Sequence, residues 1–197
     1  MKVVAFNGSA RRDGNTAILI EHVFTELRAA KIETELVQLA DEGIIGCTTC
    51  GGCARTKDGH CSNDGDIVNE CIDKMVAADG VIIASPVYFA NCTASTQALI
   101  ERAGYAIRRS GDPLTRKVGA AVVAVRRAGA MHAFDSINHF FQINEMIVVS
   151  SSYWNIGIGR ESGDVLADTE GLQTMTRLGQ NMAWALGCLR NGGQAAR

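Results

Sequence analysis

Apolar and polar positions alternate between two regimes along the chain. Short runs with little polar interruption, "KVVAFN" (2–7), "GVIIAS" (80–85), "VGAAVVAV" (118–125) and "MIVVS" (146–150), read as buried strands, and "ETELVQL" (33–39) is a fifth candidate. Between them lie stretches whose apolar residues recur at three- and four-residue steps. In "TAILIEHVFTELRAAK", Leu19/Ile20, Val23/Phe24 and Leu27 form one apolar face. The helical period continues through "IVNECIDKMVAA" (67–78), "STQALIERAGYAI", "MHAFDSINHFFQI" and a final segment over about 168–189.

Strand and helix thus alternate along the whole chain. Continuous apolar strands belong in a parallel sheet covered by helices on both faces, and right-handed crossovers leave few topologies. The pattern predicts a flavodoxin-like three-layer α/β sandwich, with a five-stranded parallel sheet of order 2-1-3-4-5 in a single domain over residues 1–197. In such a sheet ligands bind beyond the carboxyl ends of the strands, at the switch point between strands 1 and 3. The weakly patterned segment 41–66 reads as a functional insertion, and 157–168 as a second polar loop.

Composition narrows the classes. With 47% hydrophobic and 20% charged residues, the 197-residue chain can bury a core. A net charge of -2 argues against a basic nucleic-acid face, and no apolar run reaches the length of a membrane span. The reading expects a cytoplasmic protein with neither nucleic acid nor membrane as partner. In a reducing compartment, seven cysteines read as metal-binding or redox chemistry before a disulfide framework.

The loop "FNGSARRDGNT" (6–16) after the first strand fits neither the dinucleotide nor the Walker glycine pattern. It still supplies what a phosphate needs at a helix N-terminus: glycines for close approach at Gly8 and Gly14, hydroxyls at Ser9 and Thr16, guanidinium groups at Arg11 and Arg12, and an amide at Asn15. A plain turn capped by Asn15 or Thr16 accounts for "GNT" but not for the paired arginines.

"GSARRDGNT" after the first strand and "SPVYFANCTAS" after the third resemble the two flavin-binding loops of the NAD(P)H-dependent FMN reductases. "VRRAGAMHAFDSINHFFQINEMIVV" resembles that group's third flavin-contacting region. The resemblance implies that Ser9, Arg11, Asn15 and Thr16 hold the FMN phosphate. It implies that Pro86, Val87, Tyr88, Phe89, Ala90 and Asn91 line the ribityl chain and ring, with Arg126 and Gly129 contributing from the third region. Core packing is the competing reading for Tyr88 and Phe89.

"CTTCGGCARTKDGHC" sets Cys47, Cys50, Cys53 and Cys61 at spacing C-x2-C-x2-C-x7-C. Closely spaced cysteines suit an iron–sulfur cluster, and zinc generally uses two separated pairs. Metal-free thiols, zinc and a redox disulfide stay open beside the cluster. The branch of the resembled family with such a run is the iron–sulfur flavoproteins, which implies one 4Fe-4S cluster on these four residues. Cys71, Cys92 and Cys188 read as small core residues, and His60 as an exposed loop residue.

The expected function is that of an FMN-dependent oxidoreductase. It would pass electrons from NAD(P)H, or from a ferredoxin-type donor, to a flavin, quinone or other small soluble acceptor. The alternative is a non-catalytic flavodoxin-like electron carrier, and a third reading is a redox sensor in which flavin is structural. No catalytic side chain is singled out. The resemblance further implies a homodimer or homotetramer.

Overall fold

A computed structural model of the protein describes residues 1–40 and 42–192. The strands are β1 (Lys2–Asn7), β2 (Glu33–Gln38), β3 (Gly80–Pro86), β4 (Val118–Val125), β5 (Ile147–Val148) and β6 (Ile156–Ile158). The helices are α1 (Asn15–Ala29), α2 (Gly52–Thr56), α3 (Val68–Ala77), α4 (Ala94–Arg108), α5 (Ala130–Ile143) and α6 (Thr169–Gly192). The sheet runs β2-β1-β3-β4-β5 with every pairing parallel, which is the expected order.

Period-two alternation explains why the central strands read as unbroken apolar runs. Val3, Ala5, Ile82, Ala84, Ala120 and Val122 face one layer, packed on Leu19, Val23 and Leu27 of α1 and Met175, Leu178 and Met182 of α6. Val4, Phe6, Val81, Ile83, Ala121 and Val123 face the other layer, packed on α3, α4 and α5 through Met75, Leu99 and Ile137. Burial on both faces removes the polar positions that would mark an amphipathic strand.

The far edge differs from the expectation of one strand over 146–150. Only Ile147 and Val148 pair there, opposite Val118 and Gly119. The chain then leaves the sheet and returns as β6, opposite Val123–Val125. Asn155, 2% exposed, fills the gap: its side-chain amide donates to Ala121 O at 2.9 Å, and its carbonyl accepts the Val123 N–H at 2.9 Å. The fifth position of the sheet is therefore one interrupted edge strand, and the segment read as a polar loop over 157–168 begins inside it. A second difference is Cys188, which is exposed on α6, whereas Cys71 and Cys92 are buried.

Candidate functional site

The turn from β1 to α1 is fixed from three sides. Gly8 N–H donates to Ala84 O at 2.8 Å, tying the end of β1 to β3. Thr93, the N-cap of α4, donates its hydroxyl to Gly8 O at 2.8 Å, and Thr96 Oγ1 lies 2.8 Å from Thr93 Oγ1. A Cβ on Gly8 would stand 1.8 Å from Thr96 Oγ1, so this contact admits only glycine. Ser9 is buried, and its hydroxyl accepts the Arg11 N–H at 3.1 Å. The N-cap of α1 is Gly14, with no side-chain cap and no acid in the first turn. The first-turn N–H groups and the positive end of the helix dipole therefore face the loop with no acid inside the turn itself, while Asp13 directly precedes the cap.

Asn15 takes a different role from the one its position suggests. Its amide nitrogen donates to Glu161 O at 2.9 Å, and its amide oxygen accepts from Gly163 N–H at 2.9 Å and Val165 N–H at 3.4 Å. Both ends of the amide hold the 159–165 segment, so an anion in the loop would meet Asn15 through its backbone. Ser162 adds a hydroxyl bond to Asp13 O at 2.9 Å, and the exposed Arg11 stands 4.0 Å from the Glu161 carboxylate. The segment read as a second polar loop is thus a wall over the β1–α1 turn. Glu161, Ser162 and Gly163 carry no local motif that marks them, since their role comes from a contact across nearly the whole chain.

Beyond β3, Val87 N–H donates to Ala124 O at 2.9 Å. Tyr88 and Asn91 then exchange two backbone bonds, of 2.8 and 3.0 Å. Phe89 and Ala90 between them have φ of 47° and 61°, as in a type I′ turn, without the usual glycine. Such backbone costs of order 1–3 kcal/mol per residue and tends to gather at functional sites. Tyr88 is 52% exposed and Phe89 wholly so, which overturns core packing for both. Among the described residues, the Phe89 and Ala90 N–H groups meet no acceptor. Asn91 is not idle: its side-chain oxygen accepts from Cys92 N–H at 2.8 Å and from the Ser136 hydroxyl at 3.2 Å. Gly129, at φ 85°, lets α5 close on this turn, because a Cβ there would lie 2.8 Å from Ala90 Cα. Arg126, Arg127 and His132 are exposed beside it.

The four clustered cysteines line one pocket against α4, together with Arg102 and Tyr105. All four thiols are free in this structure. Among the described residues no three His, Cys, Asp or Glu group around a single metal position. A tetrahedral zinc site would pull four sulfurs to about 2.3 Å from one ion, whereas a cluster binds each thiolate on its own iron. Four cysteines that share one pocket supply thiolate ligands for either group. Cys47 N–H donates to Glu101 at 3.2 Å. Cys61 is clamped by Asn69, which accepts its N–H at 2.8 Å and donates to its carbonyl at 2.9 Å. The Cys50 thiol is held below its ordinary pKa, first by the Ser62 hydroxyl and then by the Gly52 N–H. His60 is half-buried and meets Asp73 at 2.8 Å.

A family model described as NADPH-dependent FMN reductase matches residues 1–161, which takes in β1 to β6 and both candidate turns. The chain belongs to the NADPH-dependent FMN reductase family. It is similar to an iron-sulfur flavoprotein of Methanocaldococcus jannaschii, 37% identical over 190 residues that cover 93% of this chain and 96% of the relative. An iron-sulfur flavoprotein of Methanosarcina thermophila is 34% identical over 184 residues, covering 92% and 93%. Among solved structures, a flavone reductase superposes with a TM-score of 0.75 at 16% identity, covering 96% of this chain and 64% of that protein, so the chain spans less than two thirds of its length. A flavodoxin from the domain Archaea gives 0.62 at 14% identity, covering 95% and 99%. These superpositions show the fold.

The residues singled out for FMN lie at the carboxyl ends of neighbouring strands, and their chemistry is compatible with the cofactor. Ser9, Arg11 and Thr16 gather at the end of β1, Pro86–Asn91 at the end of the adjacent β3, and Arg126 and Gly129 beyond β4. A helix N-terminus with no side-chain cap suits a phosphate. An exposed turn with two unpaired N–H donors suits the polar edge of a flat heterocycle.

Proposed function

We propose that this chain is an FMN-dependent oxidoreductase that also carries an iron–sulfur cluster on Cys47, Cys50, Cys53 and Cys61. The observation that carries the flavin reading is the pairing of an uncapped α1 N-terminus with the strained turn at Phe89–Ala90, on neighbouring strands at the switch point. Bound there, FMN would supply hydride acceptance and one-electron transfer, with the protein contributing orientation and electrostatics. Arg11, exposed and only loosely paired with Glu161, can turn onto a phosphate held by the first-turn N–H groups. The Phe89 and Ala90 N–H groups would orient the ring, and Tyr88 and Phe89 would shield it from water. The cluster reading is supported by the single pocket that the four cysteines share and by the names of the two archaeal relatives.

The donor is NAD(P)H or a ferredoxin-type protein, and the acceptor a flavin, a quinone or another small molecule. Self-association as a homodimer or homotetramer is part of this reading, supported by Phe89, Trp154 and Trp184 standing exposed on the monomer. The deciding experiment is anaerobic turnover with NADH, NADPH or reduced ferredoxin, followed through ferricyanide or a quinone. Saturable turnover with one donor is expected. Protein that dithionite reduces but no donor turns over would instead be an electron carrier.

A further inference from the structure

Arg102 is the largest fully buried side chain among the described residues, although it projects from the middle of α4 rather than from any flavin-facing loop. Its guanidinium is distributed over the cysteine loop: Nε donates to Cys61 Sγ at 3.3 Å, Nη1 to Asp66 and to Ile45 O at 3.3 Å, and Nη2 to Asn63 O at 2.6 Å. Burying a charge this completely costs several kcal/mol before any partner is counted, and an apolar side chain would pack the same space more cheaply. Asp66 repays that cost from Nη1, which leaves Nε aimed at a sulfur. Cys61 is meanwhile immobilised by Asn69 of α3 through both its N–H and its carbonyl. The long x7 gap thus delivers the fourth cysteine to a seat built by α3 and α4, apart from the loop that carries Cys47 and Cys50 and the short helix α2 that carries Cys53.

We propose that Arg102 is a positioning residue that, through the Sγ of Cys61, sets how readily an iron–sulfur cluster in this pocket takes up an electron. The inference rests on the cluster reading above. On reduction the cluster gains one electron, with no bond broken and no proton moved, so the assembly becomes one unit more negative. A charge-assisted N–H bond to a ligating sulfur favours the more negative state, since hydrogen bonds to the sulfurs and local charge tune such potentials. Asp66 sits on a different nitrogen of the guanidinium, so the donor facing Cys61 stays in place. Removing it should lower the reduction equilibrium constant on the order of tenfold, ~59 mV for one electron.

The test uses the full chain, purified without oxygen and reconstituted with ferrous iron and sulfide. Wild type is compared with Arg102→Lys and with the double variant Arg102→Met/Asp66→Asn, which removes both charges and leaves no unpaired carboxylate. Iron and FMN per chain are measured, and the cluster potential is titrated with dithionite by electron paramagnetic resonance. The expected result is retained FMN and iron, with the potential below wild type in both variants, because both lose the Nε donor to Cys61 while the net charge of the 102/66 pair is unchanged. Iron-loaded variants with the wild-type potential would overturn the proposal. Loss of iron from both variants with FMN retained would overturn it too, and reduce Arg102 to a scaffold. Wild type that takes up no iron would defeat the cluster reading itself, a result distinct from either.

Discussion

Gly8→Ala is expected to strip flavin from the protein and to lower its stability at once. The added methyl would sit 1.8 Å from Thr96 Oγ1, 3.0 Å from Thr93 Oγ1 and 3.1 Å from Ala84 O, so the threonine pair or the turn must give way. The movement breaks the Thr93 hydroxyl bond to Gly8 O and pulls the β1–α1 turn away from α4. Overpacking of this kind costs about 1–3 kcal/mol. For a chain of this length that is about 2–4 °C in Tm per kcal/mol. The control is Ser9→Ala with Arg11→Ala, which touches no such contact. It should lose much of its FMN while melting close to wild type. Thermal melts and flavin content on the same preparations check both. Unchanged FMN in the double variant would mean the phosphate is held elsewhere, and a wild-type Gly8→Ala protein would remove the steric argument.

Arg102→Met alone is expected to be the most destabilising single change in the cysteine region. The side chains of Arg102 and Asp66 are 1% and 4% exposed, so the substitution leaves a carboxylate buried without its cation. Breaking a buried pair in this way costs about 3–5 kcal/mol. The pH dependence follows from Asp66. Burial pushes its pKa up, but the Arg102 guanidinium and the Val68 N–H more than offset this and hold it below the usual carboxylate range. A depressed folded pKa gives stability that is complete above the unfolded value of about 3.9 and is lost as pH falls through the folded value. In Arg102→Met the same carboxyl is easier to protonate, so acid relieves it. The gap between wild type and variant should be widest near neutrality and close toward acid pH. Urea unfolding at several pH values measures it, and a gap independent of pH would show that lost packing, not the unpaired charge, is the cause.

The central strands were legible because burial on both faces leaves a plain apolar signature, as in Val81–Ala84 and Val118–Val125. The edge was not. β6 is three residues with a glycine in the middle, too short for any period to register, and Gly157 is there because a Cβ would strike Leu19 at 2.6 Å. The candidate flavin turns were legible through local chemistry: glycines and donors after β1, and Pro86 with its aromatics after β3. Asn15 shows what that chemistry leaves out. An amide at a helix start reads as an anion ligand, but its partners lie some 150 residues away. The same holds for Arg102, which in sequence is one charged residue within a helical pattern. Its meaning comes only from the loop that the fold lays over it.

The most direct measurement is the absorption spectrum of anaerobically purified protein, with FMN, iron and acid-labile sulfide assayed on the same sample. The account predicts bound FMN together with broad iron–sulfur absorbance and stoichiometric iron and sulfide. Protein that binds no flavin, even when FMN is supplied, would contradict its central claim. Flavin without iron would leave the reductase standing and remove the cluster from Cys47, Cys50, Cys53 and Cys61.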